Sequence, residues 1–168
     1  MAKIVIIGAG SYVFARNLIP DLLCREELNG STIVLVDIDE TRLRFIEAFA
    51  TTLARQAKSE GINVEIQGSL LRREALPGAD YVVVSVRAPG LGLQALEIPA
   101  RYGVRQSVGD TIGPGGVFYG LHHIPLLLEI CRDVEELCPR AWVLNYTNPM
   151  SMISWAIFQT SQRQLTIA

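Results

Sequence analysis

Two rhythms of hydrophobic and polar positions alternate along the chain. Short apolar, largely β-branched runs recur at Lys3–Ile7, Thr32–Val36, Asn63–Gln67, Asp80–Val86 and Ala141–Asn145. Each is too short for a helix and suits a strand, most of them buried on both faces. Longer stretches with helical spacing lie between them. Phe14, Leu18 and Leu22, widened by Ile19 and Leu23, predict one helix from Ser11 to about Leu28, kinked or restarted at Pro20. Leu43, Ile46, Phe49, Ala50 and Leu53 predict a second over Arg42–Ser59, closed by Gly61. Leu70–Leu76 reads as a short helical turn, Leu91–Tyr102 as a modest helix, and Val117–Leu137 as a long one with Pro125 inside it. Met150–Ser161 follows, and Gln164–Ala168 opens a sixth strand. Strands alternating with helices of this length predict right-handed βαβ units around a parallel sheet, here as one domain over residues 1–168.

Such sheets bind ligands beyond the strand C-termini, so the loops there carry the chemistry. After the first strand comes Gly8-Ala-Gly10, then Ser11 and a helix. A strand, a glycine turn and a helix N-terminus make a place for a pyrophosphate: glycine allows close approach, and first-turn N–H groups point at the anion. The third glycine of the usual fingerprint is missing, with Phe14 in its neighbourhood. Asp37 ends the second strand, where an acid accepts hydrogen bonds from the adenosine ribose and repels a 2′-phosphate, favouring NAD over NADP. Asp37 can also be read as the cap of the helix starting near Thr41, and both readings stand together.

Composition removes several alternatives. The net charge is −2 with both signs interspersed, so no electrostatic feature points to nucleic acid or a membrane surface as partner. No apolar run approaches the ~18 residues of a membrane span, and the first strand lacks the features of a signal peptide. Cys24, Cys131 and Cys138 are an odd number without C-x-x-C spacing, which fits a reducing cytoplasm.

Three further places draw attention. Arg87, after the fourth strand, can meet an anion or stand solvated. Gln106–Gly116 packs four glycines and a proline into eight residues, which predicts an irregular binding loop carrying Asp110 and Thr111. Asn145-Tyr-Thr-Asn148-Pro ends the fifth strand, and an amide there suits sugar hydroxyls or a nicotinamide carboxamide; Asn148 can instead cap the last helix. His122 and His123 are adjacent and cannot chelate one metal as an i, i+4 pair would, so surface or supporting roles are expected. Cys131 and Cys138 read as packing residues.

The segments Ile-Gly-Ala-Gly-Ser, Val-Asp-Ile-Asp-Glu-Thr-Arg-Leu, Arg-Arg-Glu-Ala-Leu-Pro-Gly-Ala-Asp, Gly-Asp-Thr-Ile-Gly-Pro-Gly-Gly and Leu-Asn-Tyr-Thr-Asn-Pro-Met, in that order, resemble family 4 glycoside hydrolases over essentially all 168 residues. These are NAD- and Mn-dependent α-galactosidases, α-glucosidases, α-glucuronidases and 6-phospho-glycosidases. The resemblance implies an α/β fold: a Rossmann-like doubly wound parallel sheet in three α/β/α layers, akin to lactate and malate dehydrogenases. It implies chemistry outside the two-carboxylate pattern. NAD⁺ takes hydride from sugar C3, the acidified C2 proton is removed with help from the metal, the glycosidic bond breaks by elimination, water adds, and hydride returns. By the same resemblance, Gly8, Gly10 and Ser11 match the pyrophosphate turn, Asp37 the ribose acid and Asn148 the substrate-binding asparagine. Tyr12, Arg42 and Val86 complete the cofactor candidates, and Asp110 joins Asn148 as a substrate candidate.

Departures from the family's pattern qualify this. Leu70 and Leu71 replace a common Thr-Asp, which puts a contact near the cofactor in question. An arginine used by many phospho-glycosidase members is missing near Gly92, which tilts the substrate towards a non-phosphorylated or uronic sugar. The family's metal-binding cysteine, metal histidine and catalytic base have no counterparts here, so no catalytic or metal residue is expected in this chain. The expectation is a cytoplasmic, self-associating cofactor domain that does not turn over alone. A stand-alone NAD-binding module, or one subunit of a two-chain enzyme, is the alternative. A lactate/malate-type dehydrogenase fits less well, lacking the expected Arg-x-x-x-Asp and histidine base.

Overall fold

The computed structural model describes residues 1–90 and 93–161. Five parallel strands form one sheet: β1 (Lys3–Ile7), β2 (Thr32–Val36), β3 (Glu65–Ser69), β4 (Tyr81–Val84) and β5 (Trp142–Asn145). Their order is β3-β2-β1-β4-β5, so the chain reverses its direction of travel across the sheet between β1 and β4. That switch point is where an open α/β sheet leaves a crevice for a ligand. The helices are α1 (Phe14–Leu23), α2 (Glu40–Ser59), α3 (Arg72–Ala75), α4 (Gln94–Arg101), α5 (Gly113–Leu137) and α6 (Met150–Thr160). The three-layer, doubly wound Rossmann-like architecture is as expected.

Strand alternation divides the core in two. Ile4, Ile6, Ile33, Leu35 and Val83 face α1 and α2, where Ala15, Ile19, Leu23, Leu43, Ile46 and Ala50 meet them. Val5, Ile7, Val34, Val36, Val82, Val84 and Val143 face the other way, onto α5 and α6 through Leu127, Ile130, Val134, Ile153 and Ile157. The central strands are apolar on both faces because helices cover both. An ion-pair cluster ties α3 to α5. The Arg72 Nε donates to Asp133 at 2.6 Å, Arg73 bonds Glu136 at 2.7 Å, and further bonds join Arg72 to Glu129 and Arg73 to Asp133.

Several predicted boundaries move, each for a local reason. The first helix begins at Phe14 and runs through Pro20 to Leu23. Arg25 is then extended, and Glu26–Leu28 forms a separate 3₁₀ turn. β3 starts two residues late because Asn63 is held by the turn before β2: its N–H donates to Asn29 Oδ1 and its carbonyl accepts from the Gly30 N–H. β4 stops at Val84, since the Val86 N–H is taken by the Thr147 hydroxyl. The glycine cluster before Val117 is partly helical, as α5 begins at Gly113 with Pro114 in its first turn. A Cβ at Gly115 would lie 2.2 Å from the Gly109 carbonyl oxygen, and one at Gly116 2.6 Å from Thr111 backbone atoms. Glycine here admits backbone-on-backbone packing rather than irregularity. The predicted sixth strand, Leu91 and Gly92 lie outside the described residues. Among the described residues no helix is long and apolar enough to cross a membrane.

Candidate functional site

At the C-terminal end of β1, Gly8 has φ +85°, and a Cβ there would lie 2.1 Å from the Ser85 carbonyl oxygen. Only glycine tolerates both. The N–H groups of Gly8 and Ala9 donate to the Val36 carbonyl at 2.9 and 3.0 Å, and that of Ser11 to the Gly8 carbonyl at 3.1 Å. The Gly10 N–H donates to Asp37 Oδ2 at 2.7 Å. A Cβ on Gly10 would sit 2.7 Å from that same oxygen and 2.8 Å from the Arg42 Cβ. The room both glycines leave is therefore filled by the protein itself. Ser11 Oγ accepts from the N–H of Phe14, the first residue of α1, at 3.3 Å. Tyr12 and Val13 are left as the turn's N–H groups without a protein acceptor among the described residues. They are the donors open to an anion at the start of this ten-residue helix.

Asp37 does not cap α2. Asp39 does, accepting from the Arg42 N–H at 3.1 Å and pairing with the Arg42 Nε at 3.2 Å. Asp37 Oδ1 accepts from the Asp39 N–H at 2.9 Å, so each Asp37 oxygen carries one bond and keeps acceptor capacity. A cleft of about 720 Å³ opens between α1 and α2, lined by Gly10, Tyr12, Arg16, Arg42 and Phe45 among others. Val86 sits across the turn, its Cγ1 3.1 Å from where a Gly8 Cβ would be. The structure thus brings Gly8, Gly10, Ser11, Tyr12, Asp37, Arg42 and Val86 to one corner. Open amides, an acid at the end of β2 and a glycine-tight turn are a donor and acceptor set that fits a dinucleotide.

A second corner forms where β4 and β5 end. Asn145 is buried and spends its amide on its own loop, accepting from the Thr147 N–H at 2.9 Å and donating to the Thr147 carbonyl at 3.2 Å. Asn148 is not a helix cap: its Nδ2 donates to Asp110 Oδ2 at 3.1 Å, across 38 residues of sequence. A smaller cavity of about 320 Å³ beside it is lined by Leu144, Asn145, Tyr146, Asn148 and Met150. Arg87 donates to the Tyr119 hydroxyl at 2.5 Å, and its guanidinium lies 5.6 Å over the Tyr119 ring.

The two histidines separate. His122 is exposed, its Nδ1 2.8 Å from the Phe118 carbonyl. His123 is 3% exposed and stacks on Tyr119, with ring centroids 5.4 Å apart. Burial holds its imidazole below the usual range, helped by nearby Arg87 and His122 and opposed by the Asn148 carbonyl and Asp110. Neither ring nitrogen has a hydrogen-bond partner among the described residues. Cys131 and Cys138 are packed in the core, and burial pushes their thiols up to about 12 and about 11. Leu70 and Leu71 are exposed, and the Ser69 hydroxyl organises their turn by accepting from the Leu71 N–H. Among the described residues no group of three His, Cys, Asp or Glu side chains could hold a metal ion.

Sequence reasoning passed over Tyr119, Thr147 and the burial of His123. Tyr119 and His123 are spaced i, i+4, which places them on one helix face with Gly120 beside them. That spacing was the available signal.

Comparison with known proteins agrees with this architecture. The chain is 41% identical over 162 residues to an α-galactosidase of Bacillus subtilis, covering 95% of this chain and 37% of that enzyme. It superposes on the Thermotoga maritima 6-phospho-β-glucosidase, solved with manganese, NAD⁺ and glucose-6-phosphate, with a TM-score of 0.82 and 25% identity over 94% of this chain and 37% of that one. An Archaeoglobus fulgidus malate dehydrogenase shares the fold, with a TM-score of 0.63 at 21% identity over 96% of this chain and 45% of that one. The chain spans about a third of the length of the curated relatives it matches. The model of the family 4 glycosyl hydrolases matches residues 3–168. The chain belongs to that family.

Proposed function

We propose that this chain is the NAD-binding part of a family 4 glycosidase acting on an α-glycoside, with a non-phosphorylated or uronic sugar favoured. The observation that carries the reading is the joining of the glycine turn to Asp37, 2.7 Å from the Gly10 N–H, beside two open amides at the start of α1. The amides of Tyr12 and Val13 take the pyrophosphate. Asp37 accepts from the ribose hydroxyls through its remaining lone pairs and repels a 2′-phosphate. Arg42 and Val86 border the adenosine end. Bound there, NAD⁺ supplies a reversible hydride acceptor for redox-assisted elimination at the sugar.

Asn148 and Asp110 orient sugar hydroxyls at the end of β5, a paired amide and carboxylate offering both donors and acceptors. An α-galactosidase and an α-galacturonidase among the relatives support the preference for a non-phosphorylated or uronic sugar, while a probable 6-phospho-β-glucosidase at 40% identity weighs the other way. The described residues assemble no manganese site and none of them is assigned to one. The 168 residues alone are expected to bind NAD⁺ without turnover. Trp155 and Phe158, each more than 70% exposed on α6, support self-association.

Calorimetric titration of the chain with NAD⁺, with NADP⁺ as control, tests the reading. Micromolar NAD⁺ binding that is at least tenfold weaker for NADP⁺ and lost in Asp37→Ala is the expected result. A folded chain indifferent to both nucleotides overturns it.

A further inference from the structure

The cleft between α1 and α2 is lined by two arginines, and the protein already engages both. Arg16 Nη1 donates to the Tyr12 hydroxyl at 3.3 Å, and its guanidinium lies 5.5 Å over that ring. Arg42 is held by Asp39 at two points. Its backbone N–H donates to Asp39 Oδ1 at 3.1 Å, and its Nε meets Asp39 Oδ2 at 3.2 Å. One carboxylate thus caps α2 and holds the side chain that leaves its first turn.

Asp37 stands beside this pair without joining it. Its Oδ2 lies 2.7 Å from where a Gly10 Cβ would be, and the Arg42 Cβ lies 2.8 Å from the same point. An arginine stem rooted there can bring its guanidinium to Asp37 by changing rotamer. Instead, the two Asp37 oxygens accept from the backbone N–H groups of Gly10 and Asp39. Those bonds leave the carboxylate without a cation among the described residues. The arrangement bears on the choice of nucleotide, because an arginine near the ribose accommodates a 2′-phosphate. An unopposed Asp37 repels that phosphate. An Asp37 paired with Arg42 would repel it less and would keep fewer lone pairs for ribose hydroxyls.

We propose that Asp39 is a specificity-determining residue for the cofactor: by holding Arg42 at the start of α2, it keeps a cation away from Asp37 and the ribose, so that the site selects NAD over NADP. Asp37 supplies the repulsion, and Asp39 preserves it. Asp39 itself touches no nucleotide in this account. The Arg42 and Asp39 side chains are 70% and 45% exposed, and exposed ion pairs are weak. The expected effect is therefore a change in preference of about three- to fivefold rather than a loss of binding. The proposal rests on the reading of the glycine turn and Asp37 as the NAD site, and the experiment separates the two.

The test is calorimetric titration of the wild type, Asp39→Ser and the double variant Asp39→Ser/Arg42→Ala, each with NAD⁺ and with NADP⁺. Serine caps a helix as aspartate does, so α2 keeps its start, but it is too short to hold the Arg42 Nε. Asp39→Ser should narrow the ratio of the NADP⁺ to the NAD⁺ dissociation constant about three- to fivefold. The double variant, which has the wild-type net charge, should return that ratio to the wild-type value. A second readout needs no nucleotide, because Gly10 donates to Asp37. In the ¹⁵N-labelled chain the Gly10 amide resonance should move in Asp39→Ser and return in the double variant. Either readout unmoved in Asp39→Ser overturns the proposal, and the NAD reading stands if the wild type prefers NAD⁺. A ratio that stays narrowed in the double variant assigns the effect to the charge of Asp39 itself and also overturns it. A folded wild type that binds neither nucleotide, or both alike, overturns the NAD reading and the proposal together.

Discussion

The two corners at the C-terminal edge of the sheet are built on opposite plans. At the glycine turn nearly every need is met inside the protein. The Gly8, Ala9, Gly10 and Ser11 amides all have protein acceptors, and the space below each glycine is taken by Ser85 or Asp37. At the other corner, a helix, two loops and a strand end converge on a histidine with both nitrogens unpartnered. The first corner is complete before any ligand arrives and offers two spare amides. The second is polar, enclosed and unsatisfied. A preformed turn ties its two open amides to the stability of the fold, whereas an unsatisfied corner holds its polar groups at a cost in stability.

Perturbing the turn should have the largest effect. Gly8→Ala sets a Cβ against the Ser85 carbonyl in a left-handed backbone conformation, and urea denaturation should show a loss of about 3–5 kcal/mol. A loss under about 1 kcal/mol would mean that the turn yields, and the contrast between the corners would weaken.

The next effect concerns the mount of the second corner, since α5 carries His123 and is tied to α3 by Arg72 and Arg73. Arg72→Ala should cost about 1–2 kcal/mol in the same measurement, because Asp133 is largely buried and keeps only Arg73. Burial alone would raise the Asp133 carboxyl, but its bonds from Arg72 and Arg73 outweigh that and hold it below the ordinary range. Glu136, bonded by Arg73, is held below it too. Carboxylates lowered in the folded state add stability that is present above their unfolded values. It is lost as pH falls below about 4 and through the folded values. Acid titration of the wild type should show this loss, and Arg72→Ala should flatten it. An unchanged acid limb would exclude the cluster as its source.

The smallest effect reads out whether α5 stays packed. With burial raising Cys131 and Cys138 to about 12 and about 11, a thiol reagent at pH 8 should titrate one cysteine, exposed Cys24, in the folded chain and three in denaturant. Three fast-reacting thiols in the folded chain would mean that α5 opens readily, and that His123 is less enclosed than described.

The contrast also explains what could be read from sequence. A strand buried on both faces is a local run, so β1 and β2 were legible to the residue. Gly8 and Asp37 were legible because each answers a local demand at a strand end. Which acid caps α2 was not, because Asp37 and Asp39 differ only in where the turn aims them, and Gly10 claims Asp37. The start of α5 was missed because composition marks glycine clusters as loops, while Gly115 and Gly116 serve a helix lying directly on the backbone of residues 109–111. The His123 corner draws on Arg87, Asp110, Tyr119 and Asn148. No periodicity links such distant positions, and only the folded sheet brings them together.

The strand order sets a schedule for a chain leaving the ribosome. β1 is made first yet lies at the centre, paired with β2 on one side and with β4 on the other, where Ile4 meets Tyr81. During synthesis at roughly 5–20 residues per second, its second edge stays unpaired for several seconds after β2 has docked. Until then Val5 and Ile7 have no cover from β4 or from the still unmade α5. The nascent half-sheet is thus an apolar intermediate with an open edge, the kind of species that invites aberrant pairing. The oldest strand waits for the fourth before its second edge is closed.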